Sequence, residues 1–176
     1  MSELEIEQLI KECLEQNRAA QKAFYQLFYS FAMGICLRYS NNSNEAVVVM
    51  NKGFAKVFTG LSSYNRDYPF KAWLGQIMVN TSIDYYCNDL KIALSEDLDV
   101  DYMVNELSGA SKLSHDNLLA IIHQLSPCYR IIFNLFVIEG YSHEQIAKLL
   151  NINPGVCESA LYKARIQLKE IMLTIN

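Results

Sequence analysis

Apolar residues recur at helical spacing along most of the chain, and short polar clusters break the pattern into segments. From Leu4 to Asn17 the spacing is loose (Leu4, Ile6, Leu9, Ile10, Cys13, Leu14). A longer stretch, Ala19 to Tyr39, carries Phe24, Leu27, Phe28, Phe31, Ala32, Ile35 and Cys36 on a helical repeat. Asn41-Asn42-Ser43-Asn44 interrupts it and supplies capping side chains. A third helix is expected from Glu45 to Phe58 and a loop from Thr59 to Asp67. Pro69 is then expected to sit in the first turn of a helix carrying Phe70, Trp73, Leu74, Ile77 and Met78.

The second half has sharper punctuation. Ser114 is expected to cap a helix bearing Leu118, Leu119, Ile121, Ile122 and Leu125. Ser126-Pro127 restarts the chain, with Ser as cap and Pro at the first helical position, and Gly140 ends that helix. Ser142 followed by Gln145 fits a capping box. Asn151-Ile152-Asn153-Pro154-Gly155 is a tight turn, and a last helix runs from Pro154 to about Leu173. A short helix, a tight turn and a longer amphipathic helix make a helix-turn-helix. Small Ala147 lets the helices approach, Ile152 plugs the turn, and Leu161 packs the second helix down.

Charge and composition sharpen this all-α reading. Of the 176 residues 51% are hydrophobic, enough for a core, while seven Gly and three Pro are too few for a turn-rich β fold. Residues 1–90 hold 8 basic and 9 acidic residues, and residues 114–176 hold 5 of each. Between them, 91–113 holds 2 basic and 5 acidic residues, with the run Glu96-Asp97-Leu98-Asp99-Val100-Asp101 followed by Ser108-Gly109-Ala110-Ser111. That composition is expected to be a solvated linker between two helical domains. The net charge of -4 counts against a generic nucleic-acid binder, which shows a basic footprint. No apolar run has the length of a membrane span, and the acidic start lacks a signal-peptide pattern, so a cytoplasmic protein without membrane insertion is expected. Five separated cysteines (Cys13, Cys36, Cys87, Cys128, Cys157) form no C-x-x-C pair and are expected to be thiols at least half-buried. No metal-ligand spacing, phosphate loop or nucleophile elbow is present, so neither catalysis nor a metal or cofactor is expected.

Two stretches together carry a family resemblance. One is Leu125-Ser126-Pro127, Arg130, Phe133, Leu135, Glu139-Gly140-Tyr141-Ser142, Glu144, Ile146-Ala147, then Gly155, Ser159, Leu161 and Lys163-Ala164-Arg165. It resembles region 4, the reader of the promoter -35 element, of extracytoplasmic-function (ECF) sigma factors. The other is Cys36-Leu37-Arg38-Tyr39, Glu45-Ala46, Gly53-Phe54, Lys56-Val57-Phe58, Phe70, Ala72-Trp73-Leu74, Ile77, Asn80 and Ile83-Asp84. It resembles region 2 of the same family, which binds the polymerase clamp and melts the -10 element. The resemblance implies a region 2 helical bundle over 1–90, the linker, and a region 4 helix-turn-helix over 114–176. It implies RNA polymerase core and promoter DNA as partners, an anti-sigma factor as regulator, and a monomer when free.

The resemblance also implies site residues. At the -35 element these are Glu158, Ser159, Tyr162, Lys163 and Arg165, with phosphate contacts from Arg130 and the helix start at Ser142. At the -10 element they are Tyr64 and Asn65 in the loop and Asn80, Asp84, Tyr85 and Lys91 on the following helix. At polymerase core they are Glu45, Val48, Asn51, Lys52 and Lys56. Trp73 is expected to be a core anchor. Several positions depart from the family. Val47, Val48 and Lys52 stand where it offers carboxylates to a basic clamp. Cys87, Glu158 and Ala160 stand where it has basic or amide residues. Fewer phosphate partners imply a weaker dependence of binding on salt. The three consecutive valines Val47-Val48-Val49 point in different directions from one helix, so at least one is expected at the surface. Two rival readings follow from the departures: a degenerate sigma-like protein that binds polymerase or a regulator without opening promoters, and an ordinary dimeric helix-turn-helix regulator.

Overall fold

The computed structural model describes residues 3–95 and 115–175, with side chains over 4–86 and 119–173. Among the described residues every regular element is helical. The elements are α1 (Glu3–Leu14), α2 (Arg18–Tyr39), α3 (Ser43–Gly60), a 3-10 turn (Leu61–Ser63) and α4 (Phe70–Ser95). After the undescribed stretch come α5 (His115–Ile122), α6 (Pro127–Phe133), a π-helical segment (Asn134–Ile138), α7 (His143–Leu150) and α8 (Pro154–Ile175). The chain divides into two compact units, Met1–Asp84 and Tyr85–Asn176. The division falls inside α4, which runs to Ser95 and so continues beyond the boundary expected at residue 90. The acidic run Glu96–Asp101, the Ser108–Ser111 cluster and the cap expected at Ser114 lie outside the described residues.

In the first unit, backbone hydrogen bonding at each helix end explains where elements stop. The first helix was expected to reach Asn17 and ends at Leu14. Gln16 takes the left-handed conformation (φ 60°), and the N–H groups of Gln16 and Asn17 bond back to Cys13 and Glu12 carbonyls. Asn17 then caps α2, its Oδ1 accepting from the N–H groups of Ala19 and Ala20 at 3.0 and 3.2 Å. Asn42 caps α3, accepting from Glu45 N at 2.9 Å, which starts that helix at Ser43 rather than Glu45. Its far end passes Phe58 and reaches Gly60, so the expected loop opens with helix and a 3-10 turn. Pro69 precedes α4 rather than sitting in its first turn, its carbonyl accepting from Ala72 and Trp73 N–H.

The core of this unit is aromatic. Phe24 and Phe28 are buried on α2, with ring centroids 5.5 and 5.1 Å from Phe70 of α4. Tyr39, Met50, Leu74 and Met78 are fully buried around them. Each such side chain contributes about 1.5–3 kcal/mol on burial, the main reason these helices hold together.

In the second unit, Ser126 caps α6 (Oγ accepting from Tyr129 N, 3.1 Å) with Pro127 in the first turn, as the sequence implied. The regular helix expected to run to Gly140 instead widens at Asn134. Glu139 N then reaches Asn134 O, and Tyr141 N reaches Leu135 O across Gly140 (φ +75°). Ile122, Leu125, Ile131, Ile132, Leu135, Ile146 and Leu150 form the core with Leu161 and Ala164 of α8. Among the described residues no helix is long and apolar enough to cross a membrane.

Two predictions follow from this packing. Gly53 of α3 is buried against the Met78 thioether, and a Cβ there would collide with its Sδ. A helical Gly→Ala change ordinarily gains up to about 1 kcal/mol. Here the end of the fully buried Met78 side chain must shift to admit the methyl, so Gly53→Ala should forfeit that gain and lower stability by about 1 kcal/mol in a denaturant melt. An increase in stability would contradict the packing.

The thiols provide the second. Cys13, Cys36, Cys128 and Cys157 are free and buried, as expected of them; the Cys87 side chain lies outside those described. Burial pushes Cys36 and Cys157 up to about 11. The folded chain holds these protons above the ordinary thiol value of 9.0, so their contribution to stability is intact below that value and is lost as pH rises from 9.0 toward 11. Native protein should react slowly with a thiol reagent at pH 8 and lose stability across that window. Fast labelling of Cys36 or Cys157 would contradict this.

Candidate nucleic-acid interface

The helix-turn-helix is built as its sequence implied. Ser142 Oγ accepts from Gln145 N at 3.3 Å, while Gln145 Oε1 accepts from Ser142 N at 2.8 Å, closing the capping box. At the other end of α7, Asn151 takes the left-handed conformation (φ 53°). The N–H groups of Asn151 and Ile152 return to the Lys148 and Ala147 carbonyls, which fixes the exit of the chain toward α8. Ala147 and Leu161 are buried where the two helices pack, and Ile152 is half-buried in the turn.

This packing leaves Glu158, Ser159, Tyr162 and Arg165 exposed on α8 and Lys163 half-buried beside them. A second group of contacts ties that face to α7. The His143 ring stacks on Phe136, with centroids 4.7 Å apart and planes 20° apart. Its Nδ1 lies 3.6 Å from Glu158 Oε1, and the Arg165 guanidinium lies 5.6 Å from the Phe136 centroid. Sequence reasoning missed His143 and Phe136. A His directly after a capping Ser was the available signal, but only the fold shows that it faces Glu158.

Three readings of this region need correction. Arg130 is only 2% exposed, and its Nη1 donates to the His123 carbonyl at 3.4 Å. A guanidinium turned inward to bond the preceding turn is not presented to a phosphate. Ala160 is buried with Leu161, so it is a packing position and not a lost DNA contact. Ser142 is exposed, but its hydroxyl is engaged in the cap and donates to Glu144 Oε2 at 2.7 Å. That bond, the helix-end amide and His143 hold the Glu144 carboxyl below its ordinary range. A carboxylate therefore already occupies the helix start where a phosphate was expected.

In the first unit the expected polymerase-facing residues lie along α3. Glu45 is half-buried and closes the helix start, accepting from Asn41 and Asn42 side chains at 3.0 and 3.2 Å. Val48 is 44% exposed, Val47 half-buried and Val49 buried, as three successive helical positions require. Asn51 Oδ1 accepts from the Tyr25 hydroxyl at 3.0 Å, and Lys52 is exposed. Lys56 pairs with Asp84 of α4 at 2.8 Å, joining a residue expected at polymerase to one expected at DNA. Both are largely exposed, so the pair contributes at most about 1 kcal/mol.

On the -10 side, Asn80 is half-buried and accepts from Gln76 Nε2 at 3.0 Å, and Tyr85 is partly exposed. The Lys91 side chain lies outside those described. Tyr64 differs from expectation. Its ring packs at 5.1 Å on Phe70 and 5.2 Å on Trp73, and its hydroxyl donates to the Tyr68 carbonyl. Tyr64 and Trp73 thus anchor the loop and do not offer a free ring to a base. Asn65 is exposed, with Oδ1 accepting from Asp67 N in a local turn. Tyr68, 66% exposed, is the aromatic residue this loop presents. Its position directly before Pro69, which favours extended backbone, was the signal available in the sequence.

The described residues are helical throughout their regular elements, and a helix-turn-helix with an exposed second helix is one of the architectural classes that bind DNA. The comparisons narrow the class. The model of sigma-70 region 2 matches residues 24–88, and that of sigma-70 region 4 matches residues 115–168. Similar curated proteins include the ECF RNA polymerase sigma-E factor of Haemophilus influenzae, 26% identical over 94% of both chains. RNA polymerase sigma factor SigV of Bacillus subtilis is 23% identical over 94% of this chain and 92% of its own. Among solved structures, the sigma factor RpoE in complex with the anti-sigma factor NepR from Bartonella quintana shares the fold. It has a TM-score of 0.51 and 19% identity, covering 88% of this chain and 98% of that one. This chain belongs to the sigma-70 family, in its ECF group.

The inward Arg130 yields a test. Arg130→Ala should lower stability of the full chain by about 2 kcal/mol, the scale of a buried charged hydrogen bond with its packing. Unchanged melting together with a reduced salt dependence of DNA binding would restore the phosphate-contact reading.

Proposed function

We propose that this ECF sigma factor binds RNA polymerase core through its first module (1–90), reads the -35 element through its second (114–176), and helps to open DNA at the -10 element. The chain itself carries out no chemistry. The carrying observation is that the two regions occur in one chain, in order, and the second forms a sealed helix-turn-helix whose outer face carries Glu158, Ser159, Tyr162, Lys163 and Arg165. In this reading Val48, Lys52 and their neighbours on α3 meet the polymerase clamp, and Asn80, Asp84 and Tyr85 on α4 face the melted strand together with Tyr68. The protein works in the cytoplasm, is monomeric when free, and is held in check by an anti-sigma factor covering its polymerase-facing surfaces. The Bartonella quintana relative in its anti-sigma complex supports a partner of that kind.

A second reading has specific support. Glu45, the one acidic residue of α3, is engaged in capping and Lys52 is exposed, so α3 presents little negative charge to a basic clamp surface. Lost complementarity slows association and weakens partner choice. A sigma-like protein that binds polymerase without opening promoters would tolerate that loss.

Run-off transcription with cognate core polymerase separates the readings. Transcripts that require both core and this chain are the expected result. Core binding without transcripts would favour the second reading, and dimeric duplex binding without core would favour an ordinary regulator.

A further inference from the structure

We infer that Glu158 is a specificity-determining residue that demands an exocyclic amino group, cytosine N4 before adenine N6, at one position of the -35 element. The inference rests on the proposed function, in which α8 enters the major groove. It begins with what a carboxylate can do there. Ionised, it accepts hydrogen bonds and donates none. In the major groove the only base donors are cytosine N4 and adenine N6, whereas guanine offers N7 and O6 and thymine offers O4, all acceptors. Guanine and thymine opposite Glu158 therefore meet a negative charge with lone pairs. Adenine is intermediate, because its N7 acceptor lies beside N6 and repels the second carboxylate oxygen. Cytosine's amino group has its own C5–H on one side, so only the paired guanine's O6 lies beside it.

The geometry makes Glu158 a fit candidate for this task. Its side chain is 64% exposed on the outer face of α8, next to exposed Ser159 and Tyr162. Oε1 faces His143 Nδ1 at 3.6 Å, too long for a hydrogen bond yet close enough to bias the carboxylate's orientation. Oε2 is left for a base. His143 is itself fixed, stacked on Phe136 at the start of α7. It is a positioning residue, acting on DNA only through Glu158. The charge also acts negatively. A carboxylate near phosphates lowers affinity at every sequence, and only a base donor offsets that loss, so Glu158 discriminates as much by repelling wrong bases as by attracting the right one.

The test is a promoter library randomised across the -35 element and transcribed by reconstituted holoenzyme, with the active sequences counted. For the wild-type chain, one position should favour cytosine on one strand by about tenfold or more over guanine. Glu158→Ala should flatten that position and leave the others unchanged. Glu158→Gln should move it to adenine, since an amide both accepts from N6 and donates to N7. His143→Ala should narrow the cytosine preference at that position alone; equal weakening at all positions would reduce His143 to a structural role and overturn its part. Identical base selection by wild type and both Glu158 variants would overturn the inference. A wild-type holoenzyme that transcribes with no -35 preference at any position would overturn the docking of α8 in the groove, and the inference with it.

Discussion

Burial of Ala147, Ile146 and Leu150 against Cys157, Leu161 and Ala164 is the contact on which the second module depends. An eight-residue helix such as α7 is far below the length at which helices persist alone in water. Its existence and its angle come from α8 and from the left-handed turn at Asn151. Small residues at 147, 160 and 164 bring the two helices close, and that closeness puts His143 within reach of Glu158. A bulky residue at any of them would move the outer face as well as the core.

Under the proposed function, affinity and selectivity at the -35 element would be set by different groups. Lys163 and Arg165 supply positive charge, which attracts any phosphate backbone. Glu144 at the start of α7 and Glu158 on α8 supply negative charge on the same pair of helices. Such a mixture weakens indiscriminate binding and leaves selection to base edges. An overall charge of -4 gives the chain no broad basic footprint for non-specific DNA binding. In the first module exposed Val48 and Lys52 stand where the family resemblance led to an expectation of carboxylates.

Much of the fold was legible because capping chemistry is local. Asn42, Ser126, Ser142 and the Asn151 turn act through atoms within a few residues, so their roles could be read from spacing alone. Helix lengths were less legible. Glu3–Leu14 ends early because Asn17 is engaged in capping its successor, and Thr59–Gly60 stays helical with the Thr59 hydroxyl bonded to Ala55 and Lys56 carbonyls. The π-helical widening at Asn134 left no trace in the apolar pattern. Site residues were the least legible, because burial is a tertiary property. Arg130 matches the family pattern and Ala160 departs from it, yet both face inward, which sequence order does not reveal. Tyr64 and Tyr68 stand four residues apart in one loop, and only packing on Phe70 and Trp73 distinguishes the anchor from the exposed ring.

In the proposed function one chain joins a polymerase-gripping module to a duplex-reading one. Hydroxyl-radical footprinting of a responsive promoter by holoenzyme assembled with this chain tests it most directly. Two separated protected stretches are expected, around -35 and -10, that neither core polymerase nor the isolated chain produces. Protection of the same duplex by the chain alone, or a holoenzyme that leaves the upstream stretch bare, would contradict it.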